Sequence, residues 1–450
     1  MKKILALVAF ILVTGCVVLP KLIAPTYQEN VEKLISNIDH AQGYSANIVS
    51  TESAWFGSIN KVMIGFDPSQ IDASLQGGTQ KAELIIESHF GPLLFSNNLS
   101  VGLFATKVRF DGETLRKDLN WEENAPFYQL SILGGFTGNF QLTDAIPAFS
   151  NSEKTVQFSG YSGEGEMNNE AFTYEGTFDH AKASNAYRES KAEGFTLSVE
   201  LLANLDTIMK GGFYDSMMNL SLDTLVLDAD TELSGLSIGL GSALDTDTQL
   251  GSLEMSYLIN GLVYGDFTAN DLSLVTELDR LNNQFFLDFK HFSDGMLPNT
   301  NNSDVINKET LTFLKDNLNL LLGDKPEFNI TNFSGTFPEG SFNANLSTHL
   351  ADMNTPTIED LSVPEFWLYN TVGSGAIEID EALLQNLTER FIASKMRAPI
   401  TTPQVKQHAR LIIDGLLEQG LVTLENDKFL SDIAIKEGQL TINNAPFPLM

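Results

Sequence analysis

The sequence predicts an α+β fold that is predominantly β: an extended antiparallel sheet, closed as a sandwich or curved around a groove, with an N-terminal helix, C-terminal helices and a closing hairpin. Three observations carry this. Residues 44–373 read as short stretches rich in Val, Ile, Phe, Leu and Thr that alternate with polar residues, as strands with one apolar face do. Val31, Leu34, Ile35 and Ile38 recur at helical spacing before them. After them come two helical segments and a Gly-containing turn between two apolar runs.

The chain opens with Met1-Lys2-Lys3, an apolar run from Ile4 to Val13, then Thr14, Gly15 and Cys16, the only cysteine. A basic start, an apolar stretch and small residues before the thiol form a signal peptide with a lipobox, which makes Cys16 the expected lipid attachment residue. Two acyl chains there would give stable anchoring. The second reading is an uncleaved anchor. Val17 to Leu19 and Leu22 to Ala24 extend the apolar run to about 20 residues, enough to span a bilayer, with Lys21 near its outer end. Both readings put the body in the periplasm, because Lys2 and Lys3 stay on the cytoplasmic side. The expected organisation is leader or anchor 1–25, stalk helix 26–43, β-rich body 44–373 and C-terminal region 374–450 packed on the body.

Thr26 and Glu29 have capping-box spacing at the start of the stalk helix. Strands are expected at Lys61–Asp67, Lys81–Phe90, Asn97–Thr106, Ala171–Phe178, Asn219–Asp228, Ser252–Asn260, Gln284–Phe292, Glu327–Phe337 and Ser341–Leu350. Gly, Asn, Asp and Pro punctuate them. Leucines at 220, 222, 225 and 227 alternate with a slip near Thr224, for which a bulge is the simplest account. Ala192–Met209 fits a strand first and a helix later. Lys308–Leu322 reads as a helix stopped by Gly323. Glu164–Glu170 and Pro298–Asp304 read as loops. Asp380 and Thr402-Pro403 start two C-terminal helices, and Phe429–Ile435 with Gln439–Ile442 forms the hairpin.

Charge excludes some functions. Lys and Arg number 27 against 58 Asp and Glu, a net of −31, so the surface repels phosphate backbones and no nucleic-acid partner is expected. Membrane contact is expected through the N-terminal anchor and not through a basic patch.

Glu52-Ser53-Ala54-Trp55-Phe56-Gly57-Ser58, His89-Phe90-Gly91-Pro92-Leu93 and Gly438-Gln439-Leu440-Thr441-Ile442-Asn443-Asn444-Ala445-Pro446, in a layout of nearly the whole length, resemble the YdgA-like bacterial proteins, a domain of unknown function. Phe90, Gly57 and Asn444 depart from that family's phrases. The resemblance implies association with the inner membrane and periplasm, and it brings no catalytic residues.

Gly235-Leu236-Ser237-Ile238-Gly239 has the spacing of a nucleophile elbow, but Leu233, Leu236, Ile238 and Leu240 read as a continuing strand. His40, His89, His180, His291, His349 and His408 are scattered, without metal-ligand spacing. Asp245-Thr246-Asp247 starts like a calcium loop, yet Leu250 stands where that loop needs glycine. No catalytic, cofactor or metal residues are therefore expected. His89 beside Gly91-Pro92 reads as a histidine bonded to backbone at a turn, and Trp55-Phe56 as a buried sheet corner. The expected function is a non-enzymatic, membrane-tethered periplasmic protein of the bacterial envelope. It would bind lipid or another apolar ligand along its sheet, or support envelope organisation through envelope proteins, with the inner membrane favoured over the outer. The alternative is an envelope hydrolase using Ser237 or a carboxylate pair.

Overall fold

The computed structural model describes residues 2–41, 43–70, 78–95, 99–185, 187–296, 303–354 and 356–447, with residues 2–18 as backbone. Contacts divide the chain into two units. The first comprises Met1–Tyr187, Glu193–Lys210 and Lys290–Lys308; the second comprises Arg188–Ala192, Gly211–Phe289 and Glu309–Met450. Both are built on antiparallel ladders, as the alternation implied.

In the first unit, helix α1 runs unbroken over Lys2–His40, through Pro20 and Pro25. Thr26 and Glu29 therefore do not cap a helix start. They lie mid-helix, and Glu29 pairs instead with Lys33 at 3.0 Å, one turn on. The strands are β1 (Tyr44–Ser53), β2 (Gly57–Phe66), β3 (Gln80–Phe90), the small hairpin β4 (Leu93–Phe95) and β5 (Leu99–Val101), β6 (Phe104–Phe110), β7 (Leu119–Asn120), β8 (Tyr128–Gly134), β9 (Phe140–Ile146), β10 (Phe149–Asn151), β11 (Val156–Phe158), β12 (Tyr161–Met167) and β13 (Phe172–Ser184). They pair in the order β1-β2-β3-β6-β8-β9-β12-β13, and β7, β10 and β11 extend the ladder at one end. β14 (Glu189–Leu201) and the short helix α2 (Leu205–Lys210) divide the ambiguous 192–209 segment as strand, then helix.

The core of this unit lies between α1 and the sheet. Val31 and Ile35 bury against Ala46, Val62 and Ile86, with Ile38, Ile64, Leu84 and Val108 around them. Polar residues of α1 satisfy polar groups sunk in the same face. Ser88 Oγ donates to Tyr27 Oη at 2.8 Å, Tyr27 and Thr106 bond at 2.7 Å, and Gln28 bonds the fully buried Asn60. The helix is a brace packed on strands over its second half.

In the second unit the strands are longer: β15 (Ser216–Asp228), β16 (Thr231–Asp245), β17 (Leu250–Tyr264), β18 (Phe267–Asn282), β19 (Glu327–Phe337), β20 (Gly340–Leu350), β21 (Thr371–Asp380), then β22 (Thr423–Glu425), β23 (Lys428–Lys436), β24 (Gln439–Ile442) and β25 (Ala445–Phe447). Each of β15 to β20 pairs with the next, and β21 pairs with β23. Helices α3 (Asn283–Met296), α4 (Ser303–Asp316) and α5 (Leu318–Gly323) follow β18 in the chain, with Lys290–Lys308 of α3 and α4 belonging to the first unit, and α6 (Pro364–Asn370) precedes β21. Helices α7 (Glu381–Met396) and α8 (Pro403–Glu418) follow β21 at its opposite end, packed through Leu383, Val405, Ala409 and Ile413.

Several expectations need correcting. Gln284–Phe292 is helix, because Phe285 and Phe289 lie one turn apart with their rings 6.4 Å apart, and Asn282 Oδ1 accepts from Phe285 N at 3.1 Å to start the turn. The helix at 308–322 is two helices broken at Asn317. Of Glu164–Glu170, the first part is strand and Asn168–Glu170 alone turns. Of Pro298–Asp304, positions 298–302 lie outside the described residues, and Ser303 already begins α4. Positions 97 and 98 of the Asn97–Thr106 strand are also outside them. Asp380 stands at the start of α7, but its carboxylate accepts instead from Ser341 N at 2.7 Å. The closing hairpin forms as expected, with Lys436 opposite Gln439 and positive φ at Glu437 and Gly438.

Candidate functional site

In the second unit, strand alternation sorts one chemistry onto each face. The register places Leu220, Ile238, Tyr257, Leu274, Phe333, Ala344 and Ile377 in one row across seven strands. Met218, Leu240 and Met255 form the next row, and Leu278 with Phe328 lies farther along the same face. The opposite face is rich in Ser and Asn: Asn219, Ser221, Ser237, Ser256, Ser273, Asn332 and Ser334, with Asn332 donating to Ser273 at 2.8 Å. A sheet with one apolar face ordinarily buries it. Here Met218, Leu240, Met255, Tyr257, Leu278, Phe328, Phe333 and Ile377 remain 38% to 45% exposed. With strands about 4.8 Å apart, the row runs roughly 29 Å. Helices stand at the two ends of the strands, and Arg390 of α7 reaches the β17–β18 turn at Asp266 Oδ1, 3.1 Å away.

The leucine slip is a crease and not a bulge. Register passes from Leu222↔Leu236 to Thr224↔Ser234 without a shift, so no residue is inserted there; the ladder shifts only at Val226/Asp228. In the row of Asp223, Gly235, Asn260 and Asp271, Gly235 has φ +58° and Asp271 φ +50°. Each strand steps three residues between apolar positions across that row: Leu222 to Leu225, Leu236 to Leu233, Ile259 to Leu262, Leu272 to Ala269. On β16 and β18 a left-handed residue resets the alternation, and the three-residue step on all four strands keeps the apolar face continuous.

This accounts for the Gly235-Leu236-Ser237-Ile238-Gly239 phrase. Gly235 serves the crease, and a Cβ there would overlap the Asn260 side chain. Ser237 sits mid-strand opposite Ser221 and Leu258, and its hydroxyl donates to Asn219 Oδ1 at 2.8 Å. A nucleophile elbow needs a strand-to-helix turn, and antiparallel strand continues on both sides of Ser237. The ladders bring carboxylates opposite one another at Glu254–Glu277 and Glu164–Glu175. Burial, then Asp279 and Glu254, raises the Glu277 carboxyl above the ordinary range. Asp245 closes a tight turn by accepting from the amides of Asp247 (2.9 Å) and Thr248 (3.3 Å), which is not a calcium loop. Among the described residues no three His, Cys, Asp or Glu gather as a metal site would require.

In the first unit, His89 lies on the sheet face away from α1, where its Nε2 is 3.2 Å from Glu87 Oε1, so its partner is a side chain and not backbone. Lys107, Arg109, Ser131, Leu133, Gln141 and Thr143 join it around a groove of about 410 Å³. Gly91 and Gly102 approach so closely that a Cβ on Gly91 would overlap the Gly102 carbonyl. His40 and His408 bond backbone carbonyls within their own helices. Trp55 and Phe56 are not a buried corner. They form the exposed tip of the β1–β2 hairpin, each 48% accessible, because Ala54 N bonds Gly57 O at 2.8 Å and leaves the pair outside the ladder.

One cluster had no sequence signal. Asp144 accepts from Tyr174 at 2.8 Å and from Tyr128 at 3.3 Å, and Tyr161 bonds Tyr174. The rings lie over Gly163, Gly165 and Gly176, where any Cβ would meet them. Burial, reinforced by Asp144, pushes Tyr128 up to about 12 and Tyr174 still higher. The Cys16 side chain lies outside the described residues, and among them no helix is long and apolar enough to cross a membrane.

No curated protein and no solved structure matches this chain. A family profile does, in keeping with the YdgA-like resemblance of its phrases. That profile covers residues 1–450, and the chain belongs to the family it describes, bacterial protein of unknown function (DUF945).

Proposed function

We propose that this chain is a membrane-tethered, non-enzymatic protein of the bacterial envelope whose body faces the periplasm and holds lipid acyl chains against the apolar face of β15 to β21. The observation that carries the reading is that face: Leu, Ile, Met, Tyr and Phe side chains left half-exposed on six of its seven strands. Exposed apolar surface on this scale marks a place where apolar partners bind. Acyl chains fit its dimensions, since one leaflet of a ~30 Å hydrocarbon core is about 15 Å thick and the row is about twice that. The apolar leader from Ile4 to Leu19, with Cys16 in it, supports the tether. The hydrogen bond from mid-strand Ser237 to Asn219 favours binding over hydrolysis.

A phospholipid carrying a diazirine in its acyl chain tests this in membranes that contain the full chain. Crosslinks are expected on peptides from β16 to β19, falling severalfold in a Tyr257→Asp/Phe333→Asp variant whose side chains are exposed enough to change without unfolding the sheet. Crosslinks confined to residues 1–25 would sink the acyl-chain reading while leaving the tether standing. The intact mass of the mature N-terminus separates a lipidated Cys16 from an uncleaved anchor.

A further inference from the structure

We infer that one end of the first unit's sheet rests in the head-group layer of the bilayer. This surface deepens the membrane-tethered reading and rests on it. Three connections meet at that end: the β1–β2 tip 54–56, the β3–β6 connection, described at 91–95 and 99–103, that carries β4 and β5, and the β8–β9 turn 135–139. Backbone bonds hold them together. Phe90 N donates to Phe56 O at 2.8 Å, Gly102 N to Pro92 O at 3.1 Å, and Leu103 N to Gly134 O at 2.8 Å.

The composition of these connections is the first argument. In a chain with 58 acidic residues they contain no Asp, Glu, Lys or Arg. They expose Trp55, Phe56, Leu93, Val101 and Phe136 instead. The opposite end of the same sheet is ordinary acidic surface, with Asp67, Asp111, Glu113, Asp118, Glu122 and Glu123. The uncharged run stops one turn farther along, at Asn168-Asn169-Glu170.

The second argument is where α1 leaves the sheet. The helix ends at His40 beside the start of β1, so it runs back along the strands toward the 54–56 tip. It arrives there at Lys21, whose Nζ lies 4.6 Å from the Trp55 ring centre, with Pro20 buried and Leu22 67% exposed. The apolar residues Ile4 to Leu19 precede Lys21 on the same helix. If that run enters the bilayer, Lys21 and Trp55 stand at its boundary, the depth that Trp and a snorkelling Lys favour. An uncharged aromatic end also spares a −31 chain the repulsion of anionic head groups at its point of contact.

The test uses the full chain in vesicles of phosphatidylethanolamine and phosphatidylglycerol, with part of the lipid brominated in the acyl chains. The Trp55-dependent emission, taken as the difference from Trp55→Phe, is expected to fall roughly twofold, as suits a side chain at interface depth. A Phe56→Ser/Val101→Ser/Phe136→Ser variant is expected to float with the vesicles and lose that quenching. Wild-type protein that floats with its Trp55 emission unquenched overturns this surface and leaves the tether intact. Protein that does not float overturns the tether, and this surface with it.

Discussion

Asp144 shows how single residues hold this sheet together, and why pH will find them. Its carboxylate sits half-buried on the first unit's sheet with Tyr174 and Tyr128 donating to it, so the phenols are favoured in their neutral form. Burial is the larger cause of their raised pKa values and Asp144 adds to it. An unfolded tyrosine ionises near 10.0, whereas folded Tyr128 waits until about 12. The contribution is therefore complete below pH 10 and is lost as pH rises through about 12. Asp144→Asn is expected to bring the Tyr128 ionisation, followed by ultraviolet absorbance, part of the way back toward 10.0, since burial remains. It should also cost about 1.5–3 kcal/mol in urea unfolding at neutral pH, the range for hydrogen bonds to a charged group. An unchanged alkaline titration would show that the carboxylate has no hold on the phenols. Asp245 is the acid-side counterpart. The hydrogen bond from Thr248, then the Asp247 amide, holds its carboxyl below the ordinary 3.8, so its contribution stands above that pH and fades as pH falls through the lowered value.

At the scale of elements, alternation and helical spacing were legible wherever one pattern ruled a whole segment. Glu327–Phe337 is strand over its expected bounds, and the helices from Asp380 and Thr402-Pro403 begin where their first residues indicated. Competing signals explain the misses. Gln284–Phe292 is rich in Phe, a strand former, but the Phe285–Phe289 spacing and the Asn282 cap decide for helix. Thr26 and Glu29 carry a capping spacing that an already running helix overrides. The crease was visible as a slip in one strand and unreadable in its cause, because it takes Gly235 and Asp271 in one row on different strands, with Asn260 of β17 between them. Trp55-Phe56 was misplaced because bulk alone cannot tell a core corner from an exposed tip. The crease makes its own prediction. Gly235→Ala must hold a Cβ at φ +58° against Asn260, and is expected to destabilise the chain by about 1–2 kcal/mol or more. Gly241→Ala meets its nearest atoms at ordinary contact, 3.7 Å, and should cost less. Equal losses by chemical denaturation would remove the special role of Gly235.

For the whole molecule the controlling quantity is charge. A net of −31 opposes compaction, because acidic side chains over a folded surface are closer together than in an extended chain. Ion pairs work the other way. Glu29–Lys33, Asp206–Lys210, Asp294–Lys290, Asp352–Lys325 and Asp266–Arg390 all join side chains of which at least one is well exposed. Exposed pairs contribute about 0–1 kcal/mol each, and 27 cations cannot pair 58 acids. Salt screens both effects, with a Debye length of about 10 Å at 0.1 M, but pairs in contact lie well inside that length and long-range repulsion reaches beyond it. Repulsion should therefore lose more than pairing does. Raising potassium chloride from roughly 0.01 M to 0.3 M is expected to lift the thermal midpoint by a few degrees, the shift about 1 kcal/mol produces in a unit of this size. A midpoint that falls with salt would mean that paired charges outweigh the excess acid, and that the acidic surface helps to hold the fold together.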